Sequence, residues 1–193
     1  MVSSLPTLVA LAFLPAGLGL LIQVGWPGCL ADRLAALALL LLVGEQAHMA
    51  RVDLRHLAGV SQPRQDPQLQ CFTPILGGTI LGELVGFYGA AAGFLGIGLL
   101  LIAVSLLAFN GVTPIRFGQD GQLGVQPLGS PRRLGVIAVD SLALALAVVW
   151  LMGLAQLWIA IVLLSLTLLY GAIKLIGYIH HSKFHPGFTD SGD

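Results

Sequence analysis

The chain has 193 residues, 56% of them hydrophobic and only 9% charged, with a formal net charge of zero and a mean hydropathy of +0.91. Soluble domains carry roughly 25% charged residues, so a soluble enzyme would lack the groups to solvate its surface, a disordered regulator is excluded by apolar content, and a nucleic-acid binder by the missing basic field. What remains is an all-α polytopic integral membrane protein, read as a single membrane domain over residues 1–193.

Spans are located by charge-free runs, because about 20 apolar residues cover a bilayer core of roughly 30 Å. Met1–Ser4 has no Lys or Arg ahead of the apolar run, as a secretory signal would, so the first span is read as retained, over 5–24. Pro6 suits its first turn, Pro15 kinks it, and Gly25-Trp26-Pro27-Gly28 ends it as a turn. A second span over 29–48 needs the charges at its ends to snorkel, because Leu34–Gly44 alone is only 11 residues between Arg33 and Glu45. Without it the count falls from five spans to four. Residues 49–73 form a polar loop with Arg51, Asp53, Arg55, His56, Arg64 and Asp66; its first part is helical to Leu57 and Ser61-Gln62-Pro63 ends it.

The third span is expected over 76–109 as one continuous helix. Gly78, Gly82, Gly86, Gly89, Gly93 and Gly96 follow one another at 4, 4, 3, 4 and 3 residues, a mean of 3.6, which is one helical face. A second polar loop covers 110–133, where Gly118-Gln119-Asp120-Gly121 between apolar flanks reads as a small β-hairpin. The charge-free run Ser141–Ile173 is 33 residues, too long for one crossing, so two spans are expected over 134–152 and 154–179, joined near Met152-Gly153. Residues 180–193 are a C-terminal tail. Five spans place the termini on opposite sides, and six cations against three favour a cytoplasmic C-terminus in a bacterial inner or other internal membrane.

The glycine stripe is the most specific motif. Gly78-xxx-Gly82-xxx-Gly86 lets a second backbone approach closely, either a partner protein's or that of another span of this chain. Glu83 and Asp140 are the acids nearest membrane depth. Each is read as an interfacial, structural carboxylate, Asp140 within reach of Arg132 and Arg133, or alternatively as an ion-handling group. Glu45-Gln46-Ala47-His48 has the ExxH spacing of carboxylate-bridged di-iron sites, but such sites need a second motif and two further glutamates. His180, His181 and His185 make one incomplete metal box, and with Lys183 they also suit a headgroup-contacting tail. Cys29 and Cys71 form no CxxC and no disulfide scaffold.

No catalytic triad, phosphate loop or dinucleotide fingerprint is present. The reading is a non-enzymatic accessory subunit or assembly factor with no catalytic residue, cofactor or nucleic-acid partner. Its partners are the lipid bilayer and other membrane subunits. A small-solute or ion transporter using Glu83 or Asp140 is the alternative, and a metal-dependent membrane enzyme using the histidines a further one.

Overall fold

A computed structural model describes residues 5–59, 67–113, 115–117, 123–125 and 130–184. In chain order these form α1 (Leu5–Ala12), α2 (Leu14–Gly25), α3 (Leu30–Gly59), α4 (Pro67–Ala91), α5 (Leu95–Val112), β1 (Ile115–Phe117), β2 (Leu123–Val125), α6 (Pro131–Leu151) and α7 (Gln156–Phe184). Five stretches are long and apolar enough to cross a membrane: Leu5–Gly25, Cys71–Ala91, Leu95–Val112, Arg133–Leu151 and Gln156–Lys174. They fit an integral membrane protein. The five are not the expected five, however, and the differences have physical causes.

The first span is one path in two helices. Pro15 has no N–H to offer the carbonyl of Leu11, and the chain breaks at Phe13 between α1 and α2. The Tyr88 hydroxyl of α4 donates to the Ala12 carbonyl at the break, at 2.9 Å. Phe13 meets Phe87 edge-to-face beside it, with ring centroids 5.9 Å apart.

The expected continuous helix over 76–109 is instead a helical hairpin, α4 and α5. Gly93, at φ +100°, lies in the left-handed region that glycine adopts without steric cost. The N–H of Gly93 bonds the Ala90 carbonyl at 3.0 Å and that of Phe94 bonds the Gly89 carbonyl at 3.0 Å. This pair of bonds is a Schellman stop, which satisfies the last carbonyls of a helix as the chain leaves it. The same device recurs between α6 and α7, where Gly153 has φ +72° and the N–H groups of Gly153 and Leu154 bond Trp150 and Val149.

The glycine spacing misled because both arms of an antiparallel hairpin can carry one helical period. Gly86 lies so close to α5 that a Cβ there would sit 3.0 Å from the Gly98 carbonyl oxygen and 2.7 Å from Ile102. Gly98, outside the expected stripe, is tighter still, at 2.6 Å from the Gly86 carbonyl oxygen. Gly82 packs against Ser105, and Gly96 against Trp150 and Leu151 of α6. Gly78 and Gly89 have nothing within 4 Å. The hairpin itself uses three of the six, Gly82 and Gly86 at its contact and Gly93 at its turn.

The second span also differs. The helix over 29–48 is the first part of α3, which continues to Gly59, so the expected loop 49–73 is helical at both ends. At thirty residues α3 is about 45 Å long. Asp32, Arg33, Glu45, Arg51, Asp53 and Arg55 keep it out of the apolar set, yet it lies inside the bundle against α1, α2 and α7. Its small residues explain this placement: Ala31, Ala35, Ala36 and Ala38 are all buried and let neighbouring backbones come close. The bundle core joins Leu20, Leu39, Phe87 and Ala90 from α2, α3 and α4, while α6 leans on α5 and α7 on α3.

The chain therefore traverses the bundle six times, counting α1–α2 once. One end, the turn end, holds the segments 26–29, 92–94 and 152–155. The other, the terminal end, holds the start of α1, the end of α3, the start of α4, the end of α5, the start of α6 and the end of α7. Beyond the expected 110 boundary α5 runs to Val112, and α7 runs to Phe184 into the expected tail. β1 and β2 pair antiparallel, Ile115 opposite Val125 and Phe117 opposite Leu123. The connecting residues 118–122, where the hairpin turn is expected, lie outside the described residues.

Candidate functional site

The polar side chains that α-helices carry into this bundle must find partners there, because an unsatisfied polar group in hydrocarbon costs several kcal/mol. Most of them meet helix ends or each other.

The largest polar cluster joins the end of α5 to the start of α6. Ser130 caps α6, its hydroxyl accepting from the Arg133 N–H at 3.4 Å, and Pro131 takes the first helical position. That cap aims the Arg133 side chain at α5. Its Nε donates to the Asn110 carbonyl at 3.0 Å and its Nη2 to the Gly111 carbonyl at 3.0 Å. The cation thus sits on the negative end of the α5 dipole and fills carbonyls the helix leaves open. Arg133 is only 4% exposed. One step deeper, Asn110 Nδ2 donates to Asp140 Oδ2 at 2.8 Å and to the Leu106 carbonyl at 3.1 Å. Asp140 is thus buried, and Asn110 is a partner that the sequence reading missed. Asn110 is the only amide side chain on α5 and lies one turn from its end; that position was the available signal.

Glu83 stands apart from this cluster. Leu76, Ile80, Glu83, Phe87 and Ala90 share the buried face of α4 at alternating four- and three-residue steps. At 3% exposure Glu83 is as buried as Leu76. It lies twelve residues into the span Cys71–Ala91 and eight from its end, about 18 and 12 Å from the two. By position along the helix this is near the middle of the apolar stretch.

Glu45 pairs with Lys174 across α3 and α7. The ammonium also contacts Met49 Sδ at 3.3 Å and lies 5.4 Å from the Tyr170 ring centroid. Glu45 is committed to that pair, so the ExxH reading of Glu45 and His48 has lost its carboxylate. Among the described residues no group of three His, Cys, Asp or Glu side chains could hold a metal ion. The backbone of His180 and His181 belongs to the last turns of α7, and His185 lies outside the described residues. Cys29 and Cys71 are free and exposed.

At the turn end two side chains tie helix ends together. Gln23 Nε2 donates to the Ala90 and Ala91 carbonyls at 2.7 and 2.8 Å, and Arg33 Nε donates to the Val24 carbonyl at 2.9 Å. The α2–α4 crossing above Gln23 is close, a Cβ on Gly19 falling 2.8 Å from that of Ala91.

No protein-family model, no curated protein and no solved structure matches the chain.

Proposed function

We propose that the chain is a non-enzymatic, multi-pass membrane protein that serves as an accessory or assembly subunit of a membrane complex. The carrying observation is how its polar groups are used. Gln23, Arg33, Arg133 and Asn110 bond helix carbonyls or, for Asn110, a neighbouring carboxylate as well, and Glu45 pairs with Lys174. They hold helices in place, and apart from Gln23 and Arg33, which line one cleft between helix ends, they are spread over separate helix contacts. The outward faces of α6 and α7 are apolar, with Leu142, Val148, Leu157, Ile161 and Leu168 exposed, and suit lipid or another membrane subunit.

The cation distribution supports an orientation. Among the described residues, Arg33 is the only Lys or Arg at the turn end, and Arg51, Arg55, Arg116, Arg132, Arg133, Lys174 and Lys183 belong to the terminal half. Seven against one is a strong positive-inside bias. It supports a cytoplasmic terminal end, with the start of α1 and the end of α7, in a bacterial inner or similar membrane. The paired strands β1 and β2 then lie on the cytoplasmic side.

The test is purification in mild detergent followed by identification of stoichiometric companions. A defined membrane subunit that co-migrates and is lost from the membrane on deletion of this chain is the expected result. A monodisperse monomer with no companion refutes the reading.

One observation favours a second reading. A carboxyl buried at mid-span is a default marker of ion or proton handling, and Glu83 is such a carboxyl. Flux into liposomes that Glu83→Gln abolishes supports transport over the accessory role.

A further inference from the structure

The three connections at the turn end close around a cleft of about 590 Å³. Gln23, Trp26, Asp32, Arg33, Trp150 and Gln156 are among its lining residues, so the lining combines aromatic rings with both charge signs. Among the described residues Arg33 is the one cation at this end. Its Nε is tethered to the Val24 carbonyl, which holds the guanidinium at the mouth with its two remaining nitrogens as donors. Five carbonyls at this end are already used. Gln23 takes those of Ala90 and Ala91, and the two Schellman stops take those of Gly89, Val149 and Trp150. Three helices, α3, α5 and α7, also begin at this cleft and add the positive ends of their dipoles to the Arg33 field. The site offers donors to an anion.

Two further features narrow the ligand. Asp32 is exposed beside Arg33 and lines the same cleft, so a ligand that is only anionic meets a repelling carboxylate, whereas a zwitterion pairs both charges. The cleft also sits where apolar spans end, and Trp26, Phe94 and Trp158 are exposed there at 67%, 62% and 70%. All three tryptophans of the chain (Trp26, Trp150 and Trp158) lie at this end, as expected of side chains that settle at the headgroup level.

We propose that the turn-end cleft binds the headgroup of a zwitterionic phospholipid, its phosphate on the Arg33 guanidinium and its ammonium beside Asp32. This inference rests on the membrane reading above and adds a ligand class to it.

The test uses full-length protein, extracted and delipidated in detergent, then offered mixed micelles containing an ethanolamine-headgroup phospholipid, a glycerol-headgroup phospholipid or, in a third arm, inorganic phosphate. Native mass spectrometry counts retained lipid. The wild type is expected to retain the ethanolamine lipid preferentially. Arg33→Gln is expected to lower that retention roughly tenfold, the size of one lost charge-assisted contact. Asp32→Asn leaves the Val24 tether in place and is expected to shift preference to the glycerol-headgroup lipid, so it decides the matter even if Arg33→Gln misfolds. Equal retention of both lipids by wild type and Asp32→Asn overturns the proposal. So does displacement of the lipid by inorganic phosphate, which makes the cleft a site for a soluble anion. Protein that stays in solution without detergent overturns the membrane reading and this proposal with it. Protein that needs detergent but shows no headgroup preference overturns this proposal alone.

Discussion

Replacing Gly98 with alanine adds one methyl group, and the hairpin has no room for it. The new Cβ would lie 2.6 Å from the Gly86 carbonyl oxygen, 2.6 Å from the Ala90 Cβ and 2.9 Å from the Ala90 amide nitrogen. Two of those atoms are backbone, so relief requires α4 and α5 to separate along their whole contact. Overpacking of this kind costs roughly 1–3 kcal/mol, and obstruction by backbone places Gly98→Ala toward the upper part of that range. For a chain of this size each kcal/mol moves Tm by about 2–4 °C, so a fall of roughly 4–12 °C is expected. The control comes from the same glycine stripe. Gly89 has nothing within 4 Å of its built Cβ, so Gly89→Ala is expected to be neutral or to gain up to about 1 kcal/mol in helix propensity. Both variants are read by thermal unfolding of purified, detergent-solubilised protein, with no partner present. A Gly98→Ala protein as stable as Gly89→Ala would refute the hairpin contact. A Gly98→Ala protein of normal stability that had lost a companion subunit would assign the stripe to a partner.

Topology reporters fused ahead of Leu5 and after Asp193 are expected to report the same compartment, the cytoplasm; opposite compartments would remove one of the six passes, α3 first. Asn110→Leu takes from the buried Asp140 carboxylate a 2.8 Å donor and is expected to cost about 1–3 kcal/mol, the worth of one hydrogen bond to a charged group, read as lowered Tm; an unchanged Tm refutes the contact. Glu45→Gln breaks an ion pair whose side chains are 25% and 37% exposed, so its cost is expected to stay below about 1 kcal/mol, and a loss of several kcal/mol in the same assay would contradict that. His180, His181 and His185 replaced together by Gln are expected to leave abundance and thermal stability unchanged, and metal-dependent loss of either would restore the metal box.

Composition alone decided the class of protein, because no soluble surface can be built from so few charges. Local signals were also legible wherever one residue type dictates a local conformation. Pro15 marked the break in the first span, Gly25–Gly28 its end, and Met152-Gly153 the turn that separates α6 from α7. The α4–α5 turn was not legible, although Gly93 makes it by the same mechanism as Gly153. It lies inside an apolar run with a helical glycine period, and such a period looks alike on one long helix and on two arms facing each other. Only the contact of Gly86 with Gly98 and Ile102 tells them apart. That turn adds a pass, which brings the start of α1 and the end of α7 to one end, with seven of the eight Lys and Arg among the described residues in that half. The depth of the acids was likewise a tertiary matter. Hydropathy cannot see that Asn110 waits for Asp140, that Lys174 waits for Glu45, or that the charged helix α3 is carried inside the bundle by its alanine face. Burial of a polar group depends on the partner that meets it, and such partners come from sequence positions 30 and 129 residues away.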